Sequence, residues 1–68
     1  MNDIKCRIGA EIKELRSLKK MSVRKLSEQC GIDFSNISKI EKGKLNPSLE
    51  TVDAILKPLG ATIKIEKL

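Results

Sequence analysis

The sequence predicts a single, mainly α-helical domain with four or five helices and a short C-terminal β-strand. Three observations predict this fold class. Apolar residues recur at helical spacing through most of the chain, and residues that begin or end helices interrupt that spacing. The last residues instead alternate between apolar and polar, as is typical of a strand. With 68 residues the chain has room for one domain, so residues 1–68 are treated as one unit.

The first helix is predicted over residues 3–19. A stripe of apolar residues at steps of three or four indicates it, namely Ile4, Ile8, Ile12, Leu15 and Leu18. Charged residues fill the other faces, and Gly9 lowers the helical propensity slightly. We therefore expect a helix with one buried face.

The second and third helices are predicted to be joined by a three-residue turn that contains a glycine. Ser22 suits the N-cap of the second helix and Gly31 suits its end. Asp33 then caps a third helix that we expect over residues 34–42. Such a turn joins two helices at a steep angle, so a helix-turn-helix motif is predicted over residues 22–43.

The fourth helix is predicted to begin after its N-cap, Ser48. Its inner face is expected to consist of Leu49, Val52, Ile55, Leu56 and Leu59. Pro58 has no amide N–H to donate within a helix, so we expect a kink or an early end near it.

Residues 61–67 predict a β-strand, because Ile63 and Ile65 alternate with polar residues. A lone strand leaves its backbone groups without partners, and no other segment of the chain has a strand pattern. We therefore expect pairing with the same strand of a second copy, with Ile63 and Ile65 at the interface of a homodimer. The alternative is a frayed tail.

The net positive charge is confined to the middle of the chain. The formal charge is +5, and residues 16–44 hold eight basic and three acidic residues, whereas basic and acidic residues balance elsewhere. A basic excess in one segment is typical of a site for a polyanion such as a nucleic acid. The alternative is an ordinary solvated surface.

The composition also excludes several classes of function. The chain has no His, and Cys6 and Cys30 do not form a metal-binding pair, so neither a metal nor a cofactor is expected. No catalytic constellation is recognisable, so neither an enzyme nor a small-molecule substrate is expected. Without a signal peptide or an apolar run of about 20 residues, no membrane partner is expected, and a reduced, cytoplasmic protein is predicted.

The predicted third helix has a face that is suited to reading DNA bases. Ile37 and Ile40 fall on one side of a helical wheel, and small or basic side chains fall on the other. Base contacts come from the first turns of such a helix. The predicted base-reading residues are Phe34, Ser35, Ser38 and Lys39. Alternatively, the serines and the lysine are solvated surface residues and Phe34 folds back onto the core.

Glu41 falls on the inner side of the third helix, where an unpaired carboxylate would be costly. We predict that Arg16 pairs with it and ties the first helix to the third. This ion pair would fix the orientation of the third helix. The alternative is that both side chains are solvated at the rim.

The stretch SVRKLSEQCGIDFSNISKIEKGKLNPSLETV, residues 22–52, resembles the phage repressor and Cro-type, or XRE-like, helix-turn-helix family. The matching features are the turn after Leu26, the segment ISKIEKG at residues 37–43, and Asn46-Pro47-Ser48 before the fourth helix. The resemblance implies a lambda-repressor-like fold that binds double-stranded DNA. It also implies a transcriptional regulator, most often a repressor, that acts as a dimer on a near-palindromic operator. The origin would be prokaryotic or phage, and the protein would be nucleoid-associated.

The resemblance also implies roles for individual residues. Positions that match Phe34, Ser35 and Lys39 face base edges in the family, and the Arg16–Glu41 pair matches a family ion pair. The start of the second helix and the loop after the third helix meet phosphate, and Asn36 lies on the flank of the third helix. The predicted phosphate-binding residues are therefore Ser22, Val23, Asn36, Lys42, Lys44 and Asn46. The family often has Gln where this chain has Val23, so only a backbone contact is expected there.

The tail LGATIKIEKL resembles the C-terminal strand of antitoxin repressors in the same family. These proteins pair strands across a dimer and bind a toxin. The alternative function is therefore an antitoxin that binds a protein toxin and autoregulates its operon. A further alternative is binding to DNA or RNA through charge alone, without preference for sequence.

Overall fold

Five helical segments follow one another in the computed structural model, which describes residues 3–67. The α-helices are α1 (Ile4–Leu18), α2 (Val23–Cys30), α3 (Phe34–Glu41) and α4 (Leu49–Leu56), and a 3₁₀ helix follows at Lys57–Leu59. The predicted mainly helical fold class is confirmed. The observed bounds differ from the predicted ones by one residue at each end of α1 and at the end of α3, where Lys42 is the C-cap.

Each α-helix begins at a polar residue whose side chain accepts a hydrogen bond from a backbone N–H of the first turn. The four N-caps are Asp3, Ser22, Asp33 and Ser48. The caps satisfy amides that have no partner within the helix, which explains why the helices begin at these residues. Three of the four were predicted from the sequence.

α4 ends at Leu56, two residues before Pro58, and the chain tightens into the 3₁₀ helix. The early end that was expected near Pro58 is therefore confirmed. Proline cannot donate to the carbonyl four residues earlier, whereas it is tolerated in the first turn of a new helical segment.

One hydrophobic core joins all the helices. Its buried members are Ile12, Leu26, Ile37, Ile40, Val52, Ile55, Leu56 and Leu59. α1 packs against α3, and α2 packs against both α3 and α4. Because α2 and α3 both contribute residues to this core, the two helices of the motif are held as one rigid unit.

Three apolar residues that were predicted to face the core are exposed instead. Ile4, Leu18 and Leu49 keep 63%, 74% and 76% of their surface accessible. α1 has 15 residues, whereas α2 and α3 have eight each, which corresponds to lengths of about 22 Å and about 12 Å. The ends of α1 therefore extend past the helices that cover its middle, and Leu49 lies at the very start of α4.

α1 approaches the end of α3 most closely at Gly9. A Cβ atom at this position would lie 2.1 Å from the carbonyl oxygen of Ile40 and 2.9 Å from that of Glu41. No other amino acid fits without a shift of backbone. The sequence indicates Gly9 only as a small cost in helical propensity, because the close approach of two helices leaves no local pattern.

The predicted C-terminal strand is not formed in the single chain. Residues 61–67 have no regular secondary structure, and no segment of residues 3–67 forms a strand. A strand requires a neighbouring strand for its backbone hydrogen bonds, and this part of the molecule offers none. Ile63 and Ile65 remain 42% and 94% exposed. None of the helices within residues 3–67 combines the length and the apolar character that a membrane span requires.

Candidate nucleic-acid interface

The turn between α2 and α3 sets the direction of α3. Gly31 ends α2 in the left-handed conformation with φ +78°, which glycine adopts without steric cost. Ile32 follows and packs against the core. The Ser27 hydroxyl donates a hydrogen bond of 2.5 Å to the carbonyl oxygen of Ile32, which ties the turn back to α2. This arrangement is a helix-turn-helix over the predicted residues.

α3 turns one face to the core and the opposite face to solvent. Ile37 and Ile40 are 0% and 2% exposed, so the inner face is fully packed. Ser35 and Lys39 are exposed on the outer side, whereas Ser38 is only partly accessible. The structure thus brings the four predicted base-reading residues onto one short helix, with Phe34 at its first position.

The N-terminus of α3 carries a carboxylate that the sequence predicts only as a helix cap. Asp33 is exposed, and its Oδ2 accepts hydrogen bonds from the Ser35 amide at 3.2 Å and from the Ser35 hydroxyl. These hydrogen bonds, with that from the hydroxyl largest, lower the pKa of Asp33 below its ordinary value of 3.8. The Ser35 proton is thereby engaged, so this hydroxyl is free to accept a hydrogen bond from a base amino group.

An ion pair fixes the other end of α3. The Arg16 Nε and Nη2 donate to the two carboxylate oxygens of Glu41 at 2.7 and 2.9 Å, and Nη1 donates to the carbonyl oxygen of Met21 at 2.8 Å. The side chains are 14% and 7% exposed. The hydrogen bond to Glu41 is the main reason that the pKa of Arg16 is raised. Arg16 thus links α1, the segment before α2 and the last residue of α3.

The predicted phosphate-binding residues fall into two groups, apart from Asn36, which is exposed on α3. Ser22 and Val23 lie at the N-terminus of α2, where the Ser22 hydroxyl already accepts from the Lys25 amide at 3.0 Å. The second group is exposed in the loop after α3 and comprises Lys42, Lys44 and Asn46. Val23 is partly buried against the core, so only its backbone could face a phosphate.

The lysine side chains of α3 and of the loop after it form no ion pair within the described residues. Within residues 3–67 the ion pairs are Arg16–Glu41 and Lys57–Asp53. Lys39, Lys42 and Lys44 belong to neither pair. Their ammonium groups are therefore available to a polyanion, and no internal carboxylate has to be displaced first.

Arg24 also lies near α3, although it is not among the site residues predicted from the sequence. Its guanidinium carbon lies 4.8 Å from the centroid of the Phe34 ring. The two residues are ten positions apart in sequence and belong to different helices, so no helical period relates them. The charge of Arg24 was the only indication that the sequence offered.

Two crossed helices with a buried inner face and a polar, basic outer face define the class of helix-turn-helix DNA-binding domains. The chain belongs to the Helix-turn-helix family, of the XRE type, since the model of that family matches residues 12–65. The resemblance inferred from the sequence is therefore confirmed. The protein is a DNA-binding regulator of the repressor type, with double-stranded DNA as its partner.

Several curated proteins are similar to this chain. Control protein C.MunI from Mycoplasma sp is 41% identical over 64 residues, which cover 93% of this chain and 86% of that protein. Control protein C.BamHI from Bacillus amyloliquefaciens is 36% identical, with 93% and 79% covered. The immunity repressor protein of Bacillus phage phi105 is 32% identical over 56 residues, with 82% and 39% covered. These names are those of regulators, which fits the expectation of a non-enzyme. No solved structure matches the chain significantly.

Proposed function

We propose that the protein is a transcriptional repressor that binds a near-palindromic operator as a homodimer. The observation that carries this proposal is the outer face of α3, which is polar and basic and has no acidic partner for Lys39. Relatives that are named control proteins and an immunity repressor support the same role. Bound over a promoter, such a dimer would block the polymerase sterically.

Base reading is assigned to the first turns of α3. Lys39 donates to the guanine acceptors O6 and N7, and the Phe34 ring contacts a thymine methyl group in the major groove. The Ser35 hydroxyl accepts a hydrogen bond from a base amino group, since it already donates its own proton in a hydrogen bond to Asp33. Ser38 is partly covered and its side chain is short. We therefore assign it a contact with a base edge only where that edge lies close to the helix.

Affinity and register are assigned to phosphate contacts on both sides of α3. At the start of α2 these are the Ser22 side chain and the Val23 amide. After α3 they come from Lys42, Lys44 and Asn46, and Asn36 contributes from the flank of α3 itself. Each lysine that neutralises a phosphate adds to the salt dependence of binding.

The homodimer would form through the C-terminal tail. Ile63 and Ile65 are exposed, and Ile63 lines an apolar groove of about 330 Å³ together with Ile4 and Leu49. Pairing of residues 61–67 from two copies would satisfy their backbone groups and cover these side chains. Such a dimer would place two α3 helices in successive major grooves, about 34 Å apart.

Selection of bound duplexes from a random library tests this function. At roughly 150 mM salt, where charge-only binding is weak, we expect enrichment of a near-palindrome whose half-sites lie about one helical turn apart. Lys39→Ala should shift the enriched sequence. Lys13→Ala removes the same charge from the exposed surface of α1 and should leave that sequence unchanged. Binding without any enriched sequence would contradict the proposal and leave charge-only binding.

The antitoxin alternative stays a prediction. No feature of residues 3–67 favours a toxin partner over a second copy of the chain. A toxin-like reading frame next to this gene would favour it, and co-purification of that gene's product with this protein would establish it.

A further inference from the structure

The first residue of α3 is in contact with the first turn of α2. Arg24 follows Val23 at the start of α2, and its guanidinium carbon lies 4.8 Å from the centroid of the Phe34 ring. This distance is within the range of about 6 Å in which a cation interacts with an aromatic face. The contact therefore joins the two helices of the motif at the end of α3 to which base reading is assigned.

The contact covers only part of Phe34. The residue keeps 44% of its surface accessible, so it belongs neither to the buried core nor to the freely solvated surface. A phenylalanine with no neighbour at the start of a helix would sample several rotamers. A guanidinium group over one face of the ring restricts these rotamers and leaves the rest of the ring accessible.

The hydrogen-bonding groups of Arg24 are not engaged by the protein. No hydrogen bond or ion pair within residues 3–67 involves its side chain. The contact that the structure shows for its guanidinium group is therefore the one with the Phe34 ring. Because a cation–π contact uses the charge and not the hydrogen-bond donors, the N–H groups stay available to solvent or to a phosphate.

We propose that Arg24 is a positioning residue for base recognition, which holds the Phe34 ring in the orientation that contacts a thymine methyl group. This inference rests on the proposed function, because it requires that Phe34 reads a base. Arg24 itself need not touch the base. Its effect is on selectivity at one base pair, whereas a phosphate contact would affect all sequences alike.

Substitution of deoxyuridine for thymine provides the test, because it removes only the methyl group. Each thymine of the selected operator is replaced in turn. For the full-length protein, the Kd for the operator with deoxyuridine is divided by the Kd for the operator with thymine, and this quotient is the ratio used below. At the thymine that Phe34 reads, the wild-type ratio should be about fourfold, the effect of one buried methyl group. Phe34→Ala should bring the ratio to about one at that thymine, which identifies the base pair.

Arg24→Gln is the decisive variant, since it keeps much of the side-chain length but removes the charge and with it the cation–π contact. We expect the ratio at that thymine to fall to less than half its wild-type value. Where Phe34→Ala is already present, Arg24→Gln should cause no further change in the ratio. Lys25→Gln is the matched control, because Lys25 is a neighbouring exposed cation on α2. It should alter the affinity for both operators equally and preserve the ratio.

Three results would overturn the inference, and each has a different meaning. Equal weakening of both operators by Arg24→Gln, with the ratio preserved, would make Arg24 a phosphate contact only. If Phe34→Ala leaves the ratio unchanged at every thymine, Phe34 does not read a base and the inference fails. The proposed function would still stand in that case, provided that the selection yields an enriched operator. Selection that yields no operator would remove the proposed function and this inference together.

Discussion

At the scale of single residues, the accessible side chains of α3 differ in the contacts that they make within the protein before DNA binds. The Ser35 hydroxyl is bonded to Asp33, and Phe34 lies under Arg24, whereas Lys39 has no partner among residues 3–67. A side chain that is held beforehand loses less conformational entropy on binding than a free lysine does. The Lys39 side chain therefore becomes ordered only when it binds DNA. Since its replacement breaks no contact within the protein, it gives the most direct test of base reading.

Lys39→Ala should weaken binding to the selected operator by about 1–3 kcal/mol and relax one base position. The reason is the loss of a donor to guanine that the other side chains of α3 cannot replace. Competition binding against operator variants measures the effect. If affinity for random DNA falls by the same factor, Lys39 contacts a phosphate and does not read a base.

The Arg16–Glu41 pair acts on the orientation of α3 and not on DNA directly. Glu41→Ala would leave Arg16 with only the Met21 carbonyl as a partner in a site where both side chains are mostly covered. Removing one partner of a covered pair leaves an uncompensated charge, so we expect a loss of about 3 kcal/mol in the free energy of unfolding. Urea denaturation measures it.

The control for this prediction is Glu14→Ala, which removes an exposed carboxylate from α1. That change should lower the free energy of unfolding by less than about 0.5 kcal/mol, as is usual for surface substitutions. Combining Arg16→Met with Glu41→Leu should recover much of the stability, because no charge is left unpaired. An equally small loss for Glu41→Ala and Glu14→Ala would mean that the pair does not stabilise the fold.

At the scale of the helices, the close approach of α1 to α3 depends on the absence of a side chain at Gly9. Gly9→Ala improves the helical propensity of α1 by about 1 kcal/mol, but it places a methyl group in contact with the carbonyl of Ile40. Because backbone must move, we expect a net loss of about 1–3 kcal/mol in the free energy of unfolding. Thermal and urea unfolding measure it.

Ser17→Ala is the control for Gly9→Ala, since Ser17 is an exposed residue of the same helix. It should be neutral or slightly stabilising, as expected from propensity alone. If Gly9→Ala stabilises the protein as well, α1 can move away from α3 without cost. The orientation of α3 would then not depend on this contact.

The helices themselves could be predicted from the sequence because caps and apolar periods are local. Ser22, Asp33 and Ser48 begin helices through hydrogen bonds that span two or three residues. The contacts of Gly9 with α3 and of Arg24 with Phe34 could not be predicted, because they depend on how two helices cross. The prediction that the apolar residues at the ends of α1 face the core was wrong for the same reason. An apolar stripe in the sequence does not show how much of the helix its neighbouring helices cover.

At the scale of the whole molecule, the basic segment supplies a field that acts on any DNA sequence. Lys44 is exposed in the loop after α3 and has no acidic partner within residues 3–67. Lys44→Ala should weaken operator and random DNA alike and reduce the slope of log K against log salt by about one unit. Titrations at several salt concentrations measure the slope, and an unchanged slope would remove Lys44 from the phosphate contacts.

The dimer is also a property of the whole molecule, and the tail is the place to test it. Residues 61–67 leave Ile63 and Ile65 exposed in the single chain, and their backbone groups have no strand to pair with. Deleting residues 61–68 should therefore yield a folded monomer in sedimentation equilibrium, and Ile63→Ser with Ile65→Ser should weaken the dimer. Lys64→Gln, between the two isoleucines, is the control and should leave the dimer intact. A dimer that persists after the deletion would exclude strand pairing and place the interface on the helices.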